Sequence, residues 1–500
     1  MKMLLRFTVA AMVGTLSSAT TLHADEFDGI RDSIRQRMLE ERVPAIAVAV
    51  WRDGRIVWEQ GFGWADRERR IAATEHTPFN IASLTKTMTG VGLMTLVQTD
   101  KVDLDKPVND YLGPDPIQSR VGDPRAVSVR QVANHTSGLP PQDSTFYGED
   151  ISRVPTLSQT IQRYGIVMQH PGERYNYSNL GFAVLGRLIG HVSGKSYADY
   201  MRQEVFLPLG MTRSSVDVAP GLEAYRARGY DFDRNPIPDS ASADPAAGSV
   251  FSSAHDIARF GMFLLKNHLA DQAPILNDRF IDRLSSDPIP TSATNGYAVA
   301  INVTRLNGYR VLGHSGSSSG VHSDFVIVPE RNLGVLVMAN ADGGAGDLRH
   351  QILTTLLPDW RKPAPAARMD TTFKPTAAMT GLWQGKVETY EGSQPIQLKI
   401  LASGDIHVRI GAAPVFANRS TLRQDALVNE VAFKAGTLTG TTLARIETSD
   451  TRRHPHTVSL NLRFQGDKLS GTAFASSTYD EGLWVYTLPY WTELTRVGPL

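Results

Sequence analysis

The stretch Ser83-Leu84-Thr85-Lys86 follows an apolar segment at residues 79–82 and opens a run with helical character that continues to about residue 98. On a helix, a spacing of three residues places the Ser83 and Lys86 side chains on one face, where they can touch. A serine hydroxyl is a poor nucleophile until a neighbouring base takes its proton, and a lysine partly removed from water can serve as that base. The free amides of a helix start also favour negative charge nearby. The stretch therefore predicts a nucleophilic serine, although the spacing alone is common by chance on helices.

A second polar group, Tyr177-Ser178-Asn179, comes just before an apolar helix that begins near residue 180. A tyrosine near a cationic lysine has its anion favoured, so Tyr177 is a candidate general base for Ser83 and a candidate acid for the leaving group. Asn179 offers an amide that can orient Lys86 and hold a substrate carbonyl. On this tripeptide alone, a buried tyrosine followed by an asparagine N-cap is the more common interpretation.

The third group is Gly313-His314-Ser315-Gly316-Ser317, with strand-like residues on both sides. Its glycines allow a substrate to approach the backbone closely, and an edge strand of this kind can bind an extended peptide. His314 can supply a hydrogen bond or a positive charge, and the Ser317 amide can pair with that of Ser83 as an oxyanion hole. Ser315 and Gly316 complete the predicted substrate-binding segment. The alternative is a polar turn that contains an ordinary histidine.

In order and in setting, the three groups resemble the serine, tyrosine and basic-residue motifs of class C β-lactamases and related penicillin-binding proteins. The resemblance covers roughly residues 30–360. It includes four softer features: Leu104-Asp105-Lys106-Pro107-Val108, Asn134-His135-Thr136-Ser137-Gly138-Leu139, Pro208-Leu209-Gly210-Met211 and Ala247-Gly248-Ser249. It implies an α/β (α+β) fold in which helices flank an antiparallel sheet and the active site lies between that sheet and a helical lobe.

The resemblance also implies a role for each matching position. Ser83 corresponds to the nucleophile, Lys86 and Tyr177 to the proton-transfer pair, and Asn179 to the substrate-side amide. His314 corresponds to the third-motif residue. The Ser83 and Ser317 amides would hold the oxyanion, and no cofactor is needed.

One departure from the family pattern bears on the substrate. Many β-lactamases and transpeptidases carry a lysine and a threonine where this chain has His314 and Ser315. A neutral histidine attracts a substrate carboxylate less strongly than an ammonium group does. Relatives with a histidine at this position resemble peptidases acting on D-amino-acid peptides, aminopeptidases and esterases. We therefore expect a small peptide or amide as substrate, with a carboxylic ester and then a β-lactam as alternatives.

Composition and length limit the classes of protein and of reactive site that the chain can represent. The chain has 500 residues, and its 41% hydrophobic and 20% charged residues are typical of a folded globular protein. Lysine plus arginine equals aspartate plus glutamate, at 51 each, so no net charge attracts nucleic acid. The chain has no cysteine, which excludes disulfides and a cysteine nucleophile.

The pattern along the chain predicts two domains. Strand-like runs at both ends of residues 25–362, with helices between them, predict one antiparallel sheet built from the two ends of a hydrolase domain. A stretch rich in proline and alanine at residues 363–372 suits a linker. Residues 373–500 alternate as short strands and predict an antiparallel β-barrel. Through Gly381-Leu-Trp383-Gln-Gly385, this segment resembles the lipocalin-like barrels appended to some peptidases of the group.

The first 24 residues have the shape of a signal peptide. Lys2 and Arg6 precede an apolar run at residues 7–16, and small and polar residues then lead to Ala24, where we expect cleavage. The alternative is a membrane anchor, but the run is shorter than the about 20 residues that a spanning helix needs. The prediction is a periplasmic or secreted protein with no integral membrane segment after cleavage; a homo-oligomer is compatible with the sequence.

Three competing interpretations remain. Gly316-Ser317-Ser318-Ser319-Gly320 fits the glycine-serine-glycine pattern of a nucleophile elbow, but an elbow requires a following helix and residues 321–328 look like a strand. A second possibility is a binding or sensing protein whose serine is acylated and never released. The third is metal catalysis, which we do not expect, because the 13 histidines show no paired helical spacing of the zinc-protease type and the closest pair, His454 and His456, suits a surface.

Overall fold

The computed structural model describes residues 26–218, 220–362, 373–411, 425–478 and 482–499. The predicted signal peptide at residues 1–24 and the predicted linker at residues 363–372 lie outside these described residues. The described parts on either side of residues 363–372 are a mixed α/β region and an all-β region.

The first region is organised around a nine-stranded antiparallel sheet that contains strands from both of its ends. The central strand Ala45–Arg52 pairs with Leu333–Ala339 on one side, with Val48 opposite Val337, and with Arg55–Asp66 on the other. Across the sheet, the strands lie in the order Ile289–Pro290, Asn295–Tyr297, Asn302–Leu306, Tyr309–Ser318, Val321–Val328, Leu333–Ala339, Ala45–Arg52, Arg55–Asp66 and Ile71–Ala72. The sheet predicted from the two ends of this region is confirmed.

The strand Ala45–Arg52 is buried on both faces, which explains its nearly continuous apolar sequence. Helices cover one face of the sheet, where they contribute Ile34 and Ile352. On the other face, Trp51 packs closely against Gly261 and Gly334. A Cβ would lie 2.1 Å from the Trp51 ring at Gly261 and 2.0 Å from it at Gly334. The helices of the described residues are Asp28–Glu40, Thr85–Gln98, Val129–Ala133, Leu157–Tyr164, Asn179–Ser193, Tyr197–Tyr200, Pro245–Gly248, Ala254–Leu264, Asp278–Leu284 and Leu348–Leu356, with a π-helical turn at Met201–Phe206.

The helical lobe is built around two buried helices that carry the first two sequence motifs. Thr85–Gln98 is buried on nearly all sides, so its sequence is apolar and small rather than amphipathic. Asn179–Ser193 begins at Ser178, whose Oγ accepts a hydrogen bond from the Gly181 amide, and ends at Gly194 in the left-handed conformation. Short strands brace this lobe: Phe79–Asn80, Val250–Ser252 and Ser215–Val216 form one sheet, and Gln118–Ser119 pairs with Ile166–Val167.

The second region is a nearly closed antiparallel barrel, as predicted. Its interior is apolar and includes Trp383, Leu398 and Leu460. In sheet order its strands are Ala426–Leu427, Ile406–Ile410, Gly392–Ile400, Gly381–Thr389, Trp484–Gly498, Lys468–Thr478, Thr457–Gln465, Thr437–Thr442 and Asn429–Lys434.

The sheet that forms the barrel extends into the first region. Its strand Trp484–Gly498 also pairs with Asp143–Tyr147 of the first region, which in turn pairs with Ser240–Ser242. The sequence analysis identified no strand near residue 143, so this junction is a finding of the structure. Among the described residues, none of the helices is both long enough and apolar enough to cross a membrane.

Candidate active site

Ser83 lies in a tight turn at the start of its helix. A 3-10 turn at Ala82–Leu84 leads directly into Thr85–Gln98. Ala82 has a positive φ of 44°, a conformation that costs a non-glycine residue about 1–2 kcal/mol. The Asn80 side chain holds this turn, because its Oδ1 accepts a hydrogen bond from the Ala82 amide at 2.7 Å. Such strain is typical of residues that the surrounding structure places for function.

Lys86 lies directly beneath Ser83 and is completely buried. Its Nζ donates to Ser83 Oγ at 3.0 Å and to the carbonyl oxygen of Ala247 at 2.9 Å. Burial, opposed by the carboxyl groups of Asp143 and Asp244, lowers the pKa of Lys86 to about 7. A large fraction of this lysine is therefore neutral near pH 7 and able to accept a proton.

Tyr177 completes the group around Ser83. Its hydroxyl lies close enough to the Ser83 hydroxyl to affect its own pKa, and its ring centroid lies 4.9 Å from Lys86 Nζ. Burial raises the pKa of Tyr177 above its ordinary value, although the Ser83 hydroxyl acts in the opposite direction. Tyr177 is therefore a neutral phenol at physiological pH, which differs from the expectation that the nearby lysine would favour its anion.

His135 packs against the ring of Tyr177. The two ring centroids are 4.3 Å apart, and His135 Nδ1 accepts a hydrogen bond from the Ser178 amide at 3.1 Å. Burial, with a further contribution from Lys86, lowers the pKa of His135 well below its usual range, so the ring is neutral. His135 belongs to a sequence feature noted above but was not among the predicted site residues.

Asn179 presents unused hydrogen-bonding capacity beside the nucleophile. It is the first residue of its helix and lines the same cavity as Ser83. Its Oδ1 is buried and has no hydrogen-bond partner among the described residues. Buried polar atoms are normally paired, so this amide is suited to a substrate group.

The third motif lies within the strand Tyr309–Ser318. His314 points inward, where its Nε2 lies 3.1 Å from the Tyr297 hydroxyl and its Nδ1 lies 2.7 Å from the Ser315 carbonyl oxygen. Burial, and secondarily the charge of Lys86, lowers the pKa of His314 to about 3. His314 is therefore uncharged at pH 7.

Ser315 points to the other face of the sheet, because side chains alternate along a strand. Its hydroxyl donates to Asp324 Oδ1 at 3.0 Å, and that carboxylate also accepts from Arg349 Nη1 at 2.6 Å. The Ser315 hydroxyl is thus occupied in a polar network next to the neighbouring strand.

Gly316 lets this strand lie against the turn that carries the nucleophile. A Cβ at this position would lie 2.1 Å from the Ile81 carbonyl oxygen and 3.0 Å from the Ser83 amide nitrogen. The Ser323 hydroxyl fastens the same contact by donating to the Ile81 carbonyl oxygen at 2.7 Å. The close approach brings the backbone on either side of Gly316 next to Ser83.

Ser83 lines a cavity of ≈ 560 Å³. Asn179 and Ser317 lie on its wall with Ser83, and apolar parts of the wall come from Phe79, Tyr147 and Phe251. The wall also carries carboxyl groups at Asp143, Asp217, Glu223, Asp239 and Asp244, and guanidinium groups at Arg69 and Arg226. Because Arg226 forms an ion pair with Asp239, the rest of the wall carries four carboxyl groups and one guanidinium group.

A comparison with protein families identifies the first region. A model of the β-lactamase family matches residues 30–357. The chain belongs to the β-lactamase family. Members of this family and its structural neighbours include serine hydrolases such as class C β-lactamases and an amidase.

Two curated proteins are similar in sequence to this chain. Protein flp of Staphylococcus aureus (strain N315) is 25% identical over 331 residues, which are 64% of this chain and 64% of that protein. Unguisins hydrolase ungD' of Aspergillus campestris is 28% identical over 357 residues, covering 67% of this chain and 66% of that protein. The chain therefore spans about 64% of the length of Protein flp.

A solved structure extends the fold comparison beyond the β-lactamase region. The crystal structure of SurE with D-Leu is 19% identical, has a TM-score of 0.62, and covers 94% of this chain and 99% of SurE. Its coverage includes the barrel as well as the sheet and the helical lobe.

Within this family member, the structure brings most of the predicted site residues together but adds others. Ser83, Lys86 and Tyr177 are in mutual contact, Asn179 and Ser317 line the cavity, and His314 lies behind Tyr297. Sequence reasoning missed Tyr297, Asp143 and Asp244, which belong to no local motif. Among the described residues, no group of histidine, aspartate and glutamate side chains could hold a metal ion.

Proposed function

We propose that this chain is a serine amide hydrolase that works through an acyl-enzyme on Ser83. The observation that carries the proposal is the 3.0 Å hydrogen bond between Lys86 Nζ and Ser83 Oγ, made by a lysine whose pKa lies at about 7. A base is most effective when its pKa is near the working pH, and this lysine meets both the geometric and the electrostatic requirement.

In the first step, neutral Lys86 takes the Ser83 proton as Oγ attacks the substrate carbonyl carbon. The amides of Ser83 and Ser317 stabilise the resulting oxyanion. Tyr177, as a neutral phenol in contact with Ser83, then gives a proton to the leaving nitrogen and is reprotonated from Lys86. The C–N bond breaks, and the acyl group remains on Ser83.

In the second step, water releases the acyl group by the reverse proton route. The water proton passes through Tyr177 to Lys86 as the new C–O bond forms. The bond between the acyl carbon and Ser83 Oγ then breaks, and Lys86 returns a proton to Oγ. The reaction needs only the side chains already in contact around Ser83.

The charge around the site supports an amide or small peptide over a β-lactam. His314 is uncharged at pH 7, so the third motif lacks the fixed cation that would attract a carboxylate on the substrate. Among the guanidinium groups of the cavity wall, Arg226 is already paired with Asp239, which leaves Arg69 as the remaining one. Asn179, with an unpaired buried Oδ1, suits a substrate amide. The similarity to a hydrolase, ungD', agrees with turnover rather than permanent acylation. We further propose that residues 1–24 direct export.

The decisive experiment is intact-mass spectrometry combined with product release. The wild-type chain and Ser83→Ala are mixed briefly with D- and L-amino-acid p-nitroanilides, a p-nitrophenyl ester and a penicillin. We expect an acyl adduct and multiple turnovers with a p-nitroanilide, both lost in Ser83→Ala, with a rate loss of about 10⁴-fold or more. Ser318→Ala, at the serine of the elbow-like sequence, is the control and should retain activity.

Each other outcome contradicts a defined part of the proposal. A comparable loss in Ser318→Ala would make the elbow the nucleophile. An adduct that forms stoichiometrically with no further product would make the chain a covalent binder. Turnover of the ester or the penicillin alone would move the substrate class to one of the two alternatives.

A further inference from the structure

The strand Asp143–Tyr147 connects the barrel to the wall of the active-site cavity. Its Asp143 and Ser144 pair with Thr487 and Tyr486 of the barrel strand Trp484–Gly498. Its other edge pairs with Ser240–Ser242. The barrel sheet therefore continues into the catalytic domain and ends at the cavity.

Alternation along this strand divides its side chains between the two regions. Asp143, Thr145 and Tyr147 line the cavity that contains Ser83. Ser144 and Phe146 are buried on the opposite side. There the barrel residue Arg453 donates to Ser144 Oγ at 2.8 Å, and its guanidinium carbon lies 3.9 Å from the Phe146 ring centroid.

The barrel also forms two hydrogen bonds with residues that line the cavity. The Tyr147 hydroxyl donates to the Trp484 carbonyl oxygen at 2.8 Å. The Trp484 amide donates to Ser319 Oγ at 2.8 Å, just beyond the third-motif strand. One short barrel segment is therefore bonded to two different parts of the cavity wall.

The same strand is hydrogen-bonded to the segment that contacts Lys86. Its Ser144 carbonyl oxygen accepts from the Ala243 amide at 3.0 Å, and the next residue, Asp244, starts the short helix whose Ala247 carbonyl accepts from Lys86. Asp143 and Asp244 are the two carboxyl groups that act on Lys86. The other titratable groups facing Lys86 and Asp143 are Tyr177, His135 and His314, all neutral near pH 7.

The two carboxyl groups are unequal. Burial, followed by the charge of Asp143, raises the pKa of Asp244 well above its usual range. Burial also raises the pKa of Asp143, but there Lys86 and the Ser144 amide oppose it. Two carboxyl groups that share a buried site do not both ionise readily, and Asp143, whose pKa is raised less strongly, is the more readily ionised of the two.

We propose that Asp143 is a positioning residue of the acyl-transfer reaction, acting through Lys86, and that the C-terminal barrel holds Asp143 at that place by pairing with the strand that carries it. The inference rests on the proposed role of Lys86 as the base. It gives the barrel a function inside the active site, since the barrel sets how much negative charge Lys86 faces.

The test is the pH dependence of kcat/KM for the full chain with an amino-acid p-nitroanilide. The acid limb of this profile reports the base of the free enzyme and should lie near 7 in the wild type. Asp143→Asn removes the charge that favours protonated Lys86, so the acid limb should move to lower pH by about one unit. Asp143→Glu, which keeps the charge, should restore the limb toward its wild-type position.

The barrel's part is tested without changing any charge. Ser144→Ala with Tyr147→Phe removes two hydrogen bonds between the strand and the barrel, and should move the acid limb in the same direction by less. Combined with Asp143→Asn, the pair should cause no further movement, because both act on one residue. Glu388→Gln, which breaks the barrel's ion pair with Arg120 outside the cavity, is the matched control and should not move the limb.

Three results would overturn the inference. They are an unchanged limb in Asp143→Asn, a further movement when the strand variants are added to it, and an equal movement in Glu388→Gln. Failure of the proposed function is recognised separately: a wild-type chain that forms no Ser83 adduct overturns both. A wild-type Ser83 adduct with an unmoved limb in Asp143→Asn overturns only the role of Asp143.

Discussion

The catalytic centre and the cavity wall beside it are assembled from chain segments of very different sequence separation. Ser83 and Lys86 are three residues apart on one helix start, and Tyr177 comes from the start of a second helix. The wall at Asp143 depends on pairing with Thr487, which lies in the barrel. The proposed reacting groups are therefore encoded in short motifs, whereas their electrostatic surroundings come from contacts between distant segments.

The largest effect should come from the centre itself. Lys86→Met removes the base, and kcat/KM should fall by about 10³-fold, within the range expected for general-base catalysis. In the wild type, the neutral fraction of Lys86 grows as pH rises through about 7, so kcat/KM should rise through the same interval. Rate measurements between pH 5 and 9 check both effects, with the partly exposed Lys195→Met as the matched control. A small loss in Lys86→Met would transfer the role of base to Tyr177.

An intermediate effect should come from the contact between the third-motif strand and the nucleophile turn. Gly316→Ala places a Cβ 2.1 Å from the Ile81 carbonyl oxygen, which requires the backbone to move. We expect the free energy of unfolding to fall by about 1–3 kcal/mol, as for other overpacked sites, and activity to fall with it. Denaturant unfolding measures the first effect. Gly29→Ala, with nothing within 4 Å, is the control. Unchanged activity in Gly316→Ala would show that the contact between this strand and the Ser83 turn is not needed for activity.

The smallest effect should come from Ser315, although it belongs to the same motif. Its hydroxyl points away from the cavity and shares the Asp324 carboxylate with Arg349. Ser315→Ala should lower the free energy of unfolding by about 1 kcal/mol or less and leave kcat/KM within about twofold. Steady-state kinetics and thermal unfolding check this prediction. A large loss of activity would instead place Ser315 among the substrate-binding residues, as the motif alone suggests.

Sequence reasoning performed best where geometry is local. The spacing between Ser83 and Lys86 is a property of any helix, so their contact could be predicted without a fold. The antiparallel sheet and the barrel could be predicted from hydrophobic alternation. The opposite orientations of His314 and Ser315 were also accessible, since the strand period of two separates neighbouring residues, but the motif was treated as one unit.

Where the site depends on surroundings, the sequence carried no signal. Asp143 and Asp244 belong to none of the three motifs, and no sequence pattern near them indicated a strand that pairs with the barrel. The pKa of Tyr177 is also raised rather than lowered, because burial of its side chain disfavours the phenolate.

By itself, the sequence determined the nucleophile candidate, its lysine partner, the order of the three motifs and the two fold types. These depend on residue spacings of a few positions and on hydrophobic periodicity. Only the tertiary structure decided which groups are charged, which face the cavity, and how the barrel reaches the site. Burial and contacts between residues hundreds of positions apart set these properties, and both exist only once the chain has folded.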